Sequence, residues 1–283
     1  MLRKSLLLAL FSLPATGLLQ AGAIISTLNP AVSTLAANDD GSSPSTSIGF
    51  SANYFGTTYT TLFANNNGNF TFGASLSTFT PFGLTGATTI PIIAAFFGDV
   101  DTRGAGSGVL TYGATTLTTN DLVVRSAFVG NWVDVGYFAS GVDKLNSFQI
   151  VLIDRADTGA GNFDIMFNYD KILWETGGAS GGTSGLGGSS ARAGFSNGTG
   201  ALGSFYEFTG SGVNGALLNG GPSALISSTN VLLGNLLYTK TDGRYVFTVR
   251  GGTVDTGVTT PEPGTWGLIL AGLGALAWRR TRS

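Results

Sequence analysis

The stretch GDVDTRGAGSG carries two aspartates, Asp99 and Asp101, at alternate positions beside a glycine-rich loop. Side chains two residues apart in a strand leave the same face, so both carboxylates can meet one ligand. Carboxylate and backbone carbonyl oxygens are the ligands that Ca²⁺ prefers. The spacing therefore predicts a calcium site at Asp99 and Asp101. The alternative is that these residues cap and turn the chain at a strand end, with Arg103 paired to one carboxylate.

A second acidic group lies in the stretch DRADTGAGNFD, which contains Asp154, Asp157 and Asp164. Aspartate side chains often bond to nearby backbone N–H groups in turns. A turn role explains these three residues without a metal, although metal binding stays open as the alternative.

Catalysis by paired carboxylates would have to join Asp99 or Asp101 to Glu175 or Glu207. A glycosidase holds its two carboxyl groups about 5 to 9.5 Å apart, and nothing in the sequence brings these residues together. The chain has no Cys and no His, which excludes thiolate nucleophiles, thiolate zinc sites and imidazole-dependent triads. We therefore expect a protein that is not an enzyme.

Three aromatic residues, Trp132, Tyr137 and Trp174, are candidates for stacking against sugar rings. Tyr and Trp join a large apolar face to a polar tip, which suits recognition surfaces. The alternative for each of them is packing in the core.

Short strand-like runs separated by turn residues must position these side chains. TTYTTLFA and NFTFG flank NNNG, whose Asn and Gly residues tolerate positive φ, and this order predicts a hairpin. SFQIVLID and FDIMFNYDKILWE flank RADTGAGN and predict a second hairpin. The continuous apolar run IPIIAAFF is typical of a strand buried on both faces.

The remaining segments favour the same fold class. Residues 176–190 form a long Gly/Ser loop, and GRYVFTVRGG predicts a last strand with Tyr245, Phe247 and Val249 on one face. No long amphipathic helix is evident. We therefore predict an all-β, antiparallel sandwich-like domain, with an N-terminal signal helix and a short hydrophobic helix at the C-terminus.

Both ends of the chain carry export features. The start MLRKSLLLALFSLPATGLLQAGA has a basic region, an apolar stretch and the small residues Ala21 and Ala23. It predicts a signal peptide cleaved after Ala23. Residues 266–278 would form a helix about 20 Å long, against about 30 Å of hydrocarbon, with basic residues after it that stay cytoplasmic. This order predicts a chain that is threaded outward and held briefly by its C-terminus.

The last residues resemble the PEP-CTERM sorting signal. The resemblance is carried by Pro261, Glu262 and Pro263 before the apolar helix and by Arg279, Arg280 and Arg282 after it. It implies that exosortase, a membrane protease-transpeptidase, processes the tail at the inner membrane. It also implies delivery to the surface or the exopolysaccharide matrix of a Gram-negative bacterium. The alternative is a plain C-terminal anchor helix.

Residues 38–210 resemble the extracellular nidogen-like (NIDO) domain family. NDDGSSPSTSIGFSANYFGTTYTTLF has the family's Asp-Asp-Gly start and Phe-Gly-x-x-Tyr hairpin, and PIIAAFFGDVDTRG resembles its Ala-Pro-Phe-Trp-x-Asp-Val-Asp core. NSFQIVLID, FDIMFNYDKILWETG and ARAGFSNG follow in the family's order. The family's Pro-Phe-Trp is Ala95, Phe96 and Phe97 here, which alters packing more than chemistry. The resemblance implies an extracellular, matrix-associated or adhesive role.

Together these features predict five parts of the chain. They are a signal peptide (1–23), a leader (24–37), a nidogen-like β domain (38–252), a linker (253–259) and a sorting segment (260–283).

The net charge of the trimmed chain and the export features at its ends limit which functions we expect. The two ends hold five of the 14 basic residues, so trimming leaves nine basic against 16 acidic residues, a net charge of −7 if Glu262 is kept. Such a chain is a poor polyanion binder, and we expect no nucleic-acid partner. We expect an exported cell-surface or matrix protein of the structural or adhesive kind. The alternative is a lectin-like module that binds exopolysaccharide.

Overall fold

Two facing β-sheets make up the computed structural model, which describes residues 22–28, 33–227, 230–231 and 236–256. The predicted all-β fold is confirmed. Helix in these ranges is limited to three single 3₁₀ turns, at Ser26–Leu28, Ala156–Thr158 and Gly178–Ser180. No helix within the described ranges has the length and apolar character needed to cross a membrane. Both predicted terminal helices lie outside the described residues.

The larger sheet has eight strands, and all its pairings are antiparallel except that between β12 (Asn230–Val231) and β13 (Arg244–Arg250). In spatial order its strands are β1 (Ser33–Thr34), β6 (Leu110–Thr118), β7 (Val124–Tyr137), β8 (Gly141–Asp154), β9 (Phe163–Lys171), β13 (Arg244–Arg250) and β12 (Asn230–Val231), with β14 (Thr253–Asp255) also paired to β13.

The smaller sheet has six strands and is antiparallel throughout. In spatial order its strands are β11 (Phe205–Glu207), β10 (Arg192–Ser196), β5 (Ile92–Phe97), β4 (Asn69–Thr71), β3 (Thr57–Asn65) and β2 (Thr46–Tyr54).

Both predicted hairpins are confirmed. Strands β3 and β4 pair with Asn65 opposite Asn69, and β8 and β9 pair with Asp154 opposite Phe163. All six residues of β5 are buried, as its continuous apolar sequence predicts.

The second half of β8 is apolar on both faces because both faces of the larger sheet are covered there. Ile150 and Leu152 point into the core between the sheets, while Val151 and Ile153 lie in a second cluster on the outer face beneath Leu28. A strand covered on both sides loses the alternation of a half-exposed strand and becomes continuously apolar.

The described residues of the predicted leader, 24–28 and 33–37, are part of the folded structure. The backbone N–H of Ile25 donates to Gln149 Oε1, and Gln149 Nε2 donates back to the Ile25 carbonyl, both at 3.3 Å. Leu28 is buried on the outer face of the larger sheet. At the other end of the domain, Thr253–Asp255 was predicted to lie in the linker but extends the sheet as β14. In both places contacts between residues distant in sequence, which the local pattern does not encode, explain the difference.

The Gly/Ser segment at residues 176–190 packs against the domain. Gly178 N donates to the Phe138 carbonyl at 2.8 Å, and Ser180 Oγ lies 3.4 Å from Asp99 Oδ2, just after β5. Ser180 and Ser190 are buried. This loop therefore covers the region where β5 ends.

Candidate functional site

Four segments meet beyond the C-terminal end of β5. They are the Asp-Asp-Gly loop at residues 38–41, the asparagine turn at 65–68, the acidic stretch at 99–103 and the Gly/Ser loop at 177–180. Asp39, Asp40 and Asp99 lie together here, with one carboxylate oxygen from each within 4.8 Å of the others. We call these three residues the acidic cluster.

Buried asparagines hold the first three segments in place. Asn66 Nδ2 donates to the Asp39 carbonyl and, at 2.7 Å, to the Val100 carbonyl. Asn67 Oδ1 accepts from Val100 N at 2.9 Å, and Asn67 Nδ2 donates to Asp40 Oδ1 at 2.8 Å. Only Gly68 in this turn has positive φ, at 77°. The NNNG sequence therefore does more than permit a turn, because its amides join three distant parts of the chain.

The carboxylate of Asp99 is the most deeply placed member of the acidic cluster. Asp99 is 1% exposed, and its Oδ1 has no hydrogen-bond partner within the described part of the chain. Its Oδ2 has a long contact of 3.4 Å with Ser180 Oγ. Asp39 Oδ1 is buried and without a hydrogen-bond partner in the same ranges. Two oxygens of the cluster are thus shielded from water without a compensating donor, which is costly for a carboxylate.

Electrostatics in the acidic cluster disfavour three negative charges. Burial, reinforced by the charges of Asp39 and Asp40, raises the pKa of Asp99 to about 7. Burial and the neighbours Asp40 and Asp101 also raise the pKa of Asp39 to about 6, against the opposing effect of Arg103. Both shifts mean that the protonated, neutral forms of Asp39 and Asp99 are favoured more than in ordinary exposed carboxyls.

Asp101 does not join Asp99 in the arrangement that the sequence predicts. Its Oδ1 accepts from Arg103 Nε at 2.8 Å, and its Oδ2 accepts from Arg103 Nη2 at 2.7 Å and from Ser140 N at 2.8 Å. Despite its burial, these bonds hold the pKa of Asp101 below its usual value. For Asp101 the structure therefore agrees with the alternative to a calcium site, in which Arg103 pairs with one of the two carboxylates.

Asp39 and Asp40 were missed as partners of Asp99. The Asp-Asp-Gly motif that carries part of the family resemblance is a usable signal for them, but only the fold brings residue 39 next to residue 99.

The predicted stacking residues belong to the core, so that prediction is wrong. Trp132 and Trp174 are fully buried, and their Nε1 groups donate to the carbonyls of Asn66 at 2.9 Å and Val135 at 3.1 Å. Tyr137 is also buried, with its hydroxyl donating to Asp143 at 2.6 Å. Sequence alone does not distinguish an aromatic residue on a surface from one in an aromatic-rich core.

The second acidic group is explained by turns and ion pairs. Asp154 Oδ1 accepts from Ala156 N at 3.0 Å, as in an aspartate turn. Asp164 is fully buried and pairs with Arg155 at 3.0 Å and Arg250 at 2.7 Å. Asp157 pairs with Arg155 at 2.9 Å. Each of these carboxylates has partners from the chain itself.

Glu175 and Glu207, the candidate partners for carboxylate catalysis, both have structural roles. Glu175 is buried and accepts from the backbone N–H groups of Gly215 and Leu217, each at 2.7 Å. Glu207 accepts from Leu84 N at 2.6 Å and pairs with Arg192. Both carboxylates bind neighbouring parts of the fold.

The predicted processing residues lie mostly outside the described ranges. These are Ala21 and the sorting residues Pro261, Glu262, Pro263, Arg279, Arg280 and Arg282. Ala23 is described: it is fully buried, and its carbonyl accepts from Arg244 Nη2.

Comparison with known proteins identifies two regions. The family described as nidogen-like domain matches residues 60–251, and the PEP-CTERM protein-sorting motif matches residues 259–282. No solved structure gives a significant match.

Three animal relatives illustrate the similarity. Alpha-tectorin of Gallus gallus is 34% identical over 192 residues, which cover 61% of this chain and 9% of the relative. Alpha-tectorin of Homo sapiens has the same identity and covers 8% of its length. Nidogen of Drosophila melanogaster is 29% identical over 187 residues, 58% of this chain and 13% of the relative. The chain thus spans about a tenth of the length of these relatives.

Proposed function

The chain belongs to the nidogen-like domain family, and from this premise we propose that it works outside the cell as a structural, adhesive protein of a surface or matrix. One observation carries the proposal: a nidogen-like domain over residues 60–251 is followed by a PEP-CTERM sorting motif over 259–282. The order places a folded module ahead of a segment of the kind that directs export and sorting.

Processing at both ends belongs to the same proposal. Signal peptidase would cleave after Ala23, and exosortase would act near Pro261, Glu262 and Pro263 at the inner membrane of a Gram-negative bacterium. Because Ala23 is fully buried in the folded domain, we infer that the first cleavage precedes folding.

Several contacts support a non-enzymatic role. Glu175 accepts two backbone N–H groups, and Glu207 pairs with Arg192, so both candidate acids already hold neighbouring segments. The lectin-like alternative depended on exposed aromatic rings, whereas Trp132 and Trp174 are fully buried. The family match and the sorting motif are the support for a matrix partner, and we propose exopolysaccharide or another matrix component, bound without stacking on those rings.

The test is to follow the chain and its Glu262→Ala variant in the source bacterium. We expect intact-mass analysis of the wild-type protein to show loss of residues 1–23 and of the tail after the Pro-Glu-Pro motif. The Glu262→Ala chain should keep its tail and stay in the inner-membrane fraction. Asp242→Ala, which removes one exposed carboxylate from the folded domain, is the matched control and should be sorted like wild type.

Full-length wild-type protein in the cytosol, with its terminal arginines intact, would overturn the proposal of export. Equal processing and equal surface delivery of the Glu262→Ala chain would overturn the assignment of Glu262 to the sorting step.

A further inference from the structure

We propose that Asp39, Asp40 and Asp99 bind one hard divalent cation, with Ca²⁺ as the occupant. The three carboxylates offer oxygens within 4.8 Å of one another, a separation that a single ion can bridge. They come from two segments that are distant in sequence, so one ion would join the Asp-Asp-Gly loop to the end of β5.

An orphaned buried oxygen supports this proposal independently of the clustering. Asp99 is 1% exposed, and its Oδ1 has no hydrogen-bond donor within the described ranges. Nearly all buried polar atoms in proteins have a partner, and an exception calls for an explanation such as an unseen ion. A cation bound to this oxygen would supply that partner.

The charge balance of the cluster points the same way. Arg103 is the cation that the structure places here, and its guanidinium is shared between Asp39 at 3.0 Å and Asp101 at 2.7 Å. Asp101 accepts hydrogen bonds from Nε and Nη2 of this guanidinium, whereas Asp39 accepts only from Nη2. Asp40 and Asp99 therefore have no ion-pair partner in the described part of the chain, and a divalent ion would offset the charge that Arg103 leaves.

Hydrogen bonds and buried backbone hold the three aspartates of the proposed site in position. Asn67 Nδ2 fixes Asp40 through Oδ1 at 2.8 Å, and Asp99 follows a strand whose six residues are all buried. Asp39 is fixed by the Asn66 amide at its backbone carbonyl. Ca²⁺ takes six to eight oxygens, so water would fill the positions that the three carboxylates leave.

The experiment uses the purified full-length chain in detergent, stripped with EGTA and then titrated with CaCl₂. We expect saturation near one Ca²⁺ per chain by equilibrium dialysis. We also expect a rise in Tm of about 5 °C or more at concentrations about 100 times Kd. NaCl at equal ionic strength is the control and should not reproduce the rise, because screening alone does not fill the site.

Two charge-removing variants separate a specific site from general acidity. Asp99→Asn should abolish both the Tm rise and the dialysis signal. Asp154→Asn removes the same charge at the distant β8–β9 turn, where the amide oxygen can still accept from Ala156 N, and it should respond to calcium like wild type.

A second variant covers the case in which Asp99→Asn fails to fold. Asp40 is partly exposed, and the amide oxygen of Asp40→Asn can keep the bond from Asn67, so this variant should fold and bind Ca²⁺ at least tenfold more weakly. No calcium response in wild type, a response reproduced by NaCl, or an undiminished response in Asp99→Asn or Asp40→Asn would overturn the proposal.

Discussion

Asp99 and Asp164 are equally well buried, yet their surroundings are opposite. Asp164 lies on β9 with Arg155 at 3.0 Å, Arg250 at 2.7 Å and the Tyr238 hydroxyl at 2.6 Å. Asp99 follows β5 and faces two further carboxylates. A buried carboxylate is tolerable when it is paired and hydrogen-bonded, and costly when it is not. The fold itself supplies counter-charges to Asp164, whereas no residue in the described part of the chain forms an ion pair with Asp99.

The largest expected effect comes from making the same substitution at both positions. Asp164→Asn leaves Arg155 and Arg250 without their shared counter-charge, and we expect it to lower the free energy of unfolding by about 3–5 kcal/mol. Asp99→Asn in EGTA removes a buried charge that repels its neighbours, and we expect stability to stay equal or to rise. Urea unfolding followed by the fluorescence of the buried Trp132 and Trp174 measures both. Equal losses for the two variants would show that the contrast between these aspartates is wrong.

Gly68 belongs to the asparagine turn that lies beside the acidic cluster. Gly68 has φ of 77°, and a Cβ there would lie 1.9 Å from the Phe96 carbonyl oxygen. Positive φ costs a side chain about 1–2 kcal/mol, and overpacking typically adds about 1–3 kcal/mol. We therefore expect Gly68→Ala to lower the free energy of unfolding by about 3 kcal/mol and to weaken the calcium response.

Gly56→Ala is the control for Gly68→Ala. Gly56 has φ of 87°, but a methyl group added there would meet no atom within 4 Å, so the substitution carries the conformational cost without the clash. We expect a loss of about 1 kcal/mol and an unchanged calcium response. If the two alanine variants unfold at the same urea concentration, the close approach of Gly68 to Phe96 does not matter for stability.

The strands around the acidic cluster are encoded locally in the sequence, whereas the partners of Asp99 are not. Local patterns predict β3, β4, β5, β8 and β9, because alternation, turn residues and apolar runs are encoded within a few neighbours. They also place Asp99 at a strand end. The partners of Asp99 could not be predicted in this way, because Asp39 reaches it through long-range contacts, among them the Asn66 amide and the bonds between Asn38 and Thr102. The local spacing favoured Asp101 as the partner of Asp99, but the Asp101 carboxylate is paired with Arg103.

Aromatic burial is the other feature that local sequence could not decide. Trp132 lies on β7 with its ring stacked 5.2 Å from that of Phe148, and Trp174 packs edge-on to Phe96 at 5.3 Å. Each indole N–H finds a backbone carbonyl inside the core. A tryptophan whose indole N–H has a hydrogen-bond acceptor inside the core can be fully buried. Only the three-dimensional structure shows that such an acceptor is present.

The smallest expected effect lies at the edge of the Asp164 region. Asp157 is about half exposed and pairs with Arg155 at 2.9 Å and Arg125 at 3.3 Å. Hydrogen bonds from Arg155, helped by Arg125, lower its pKa. A carboxyl whose pKa is lower in the folded state than in the unfolded state stabilises the fold above about pH 4, and this contribution is lost as pH falls through the lowered value.

We therefore expect Asp157→Asn to cost about 0.5 kcal/mol or less at pH 7, because solvent screens a half-exposed pair. The difference from wild type should shrink towards zero in acid, and also at pH 7 in 1 M NaCl, where the Debye length is about 3 Å. Urea midpoints at pH 7 and pH 3, each with and without salt, measure it. A loss as large as that of Asp164→Asn would mean that the arginines depend on Asp157 as much as on the buried aspartate. If the difference in stability between wild type and Asp157→Asn changes with neither pH nor salt, the effect of Asp157 comes from its packing and not from its charge.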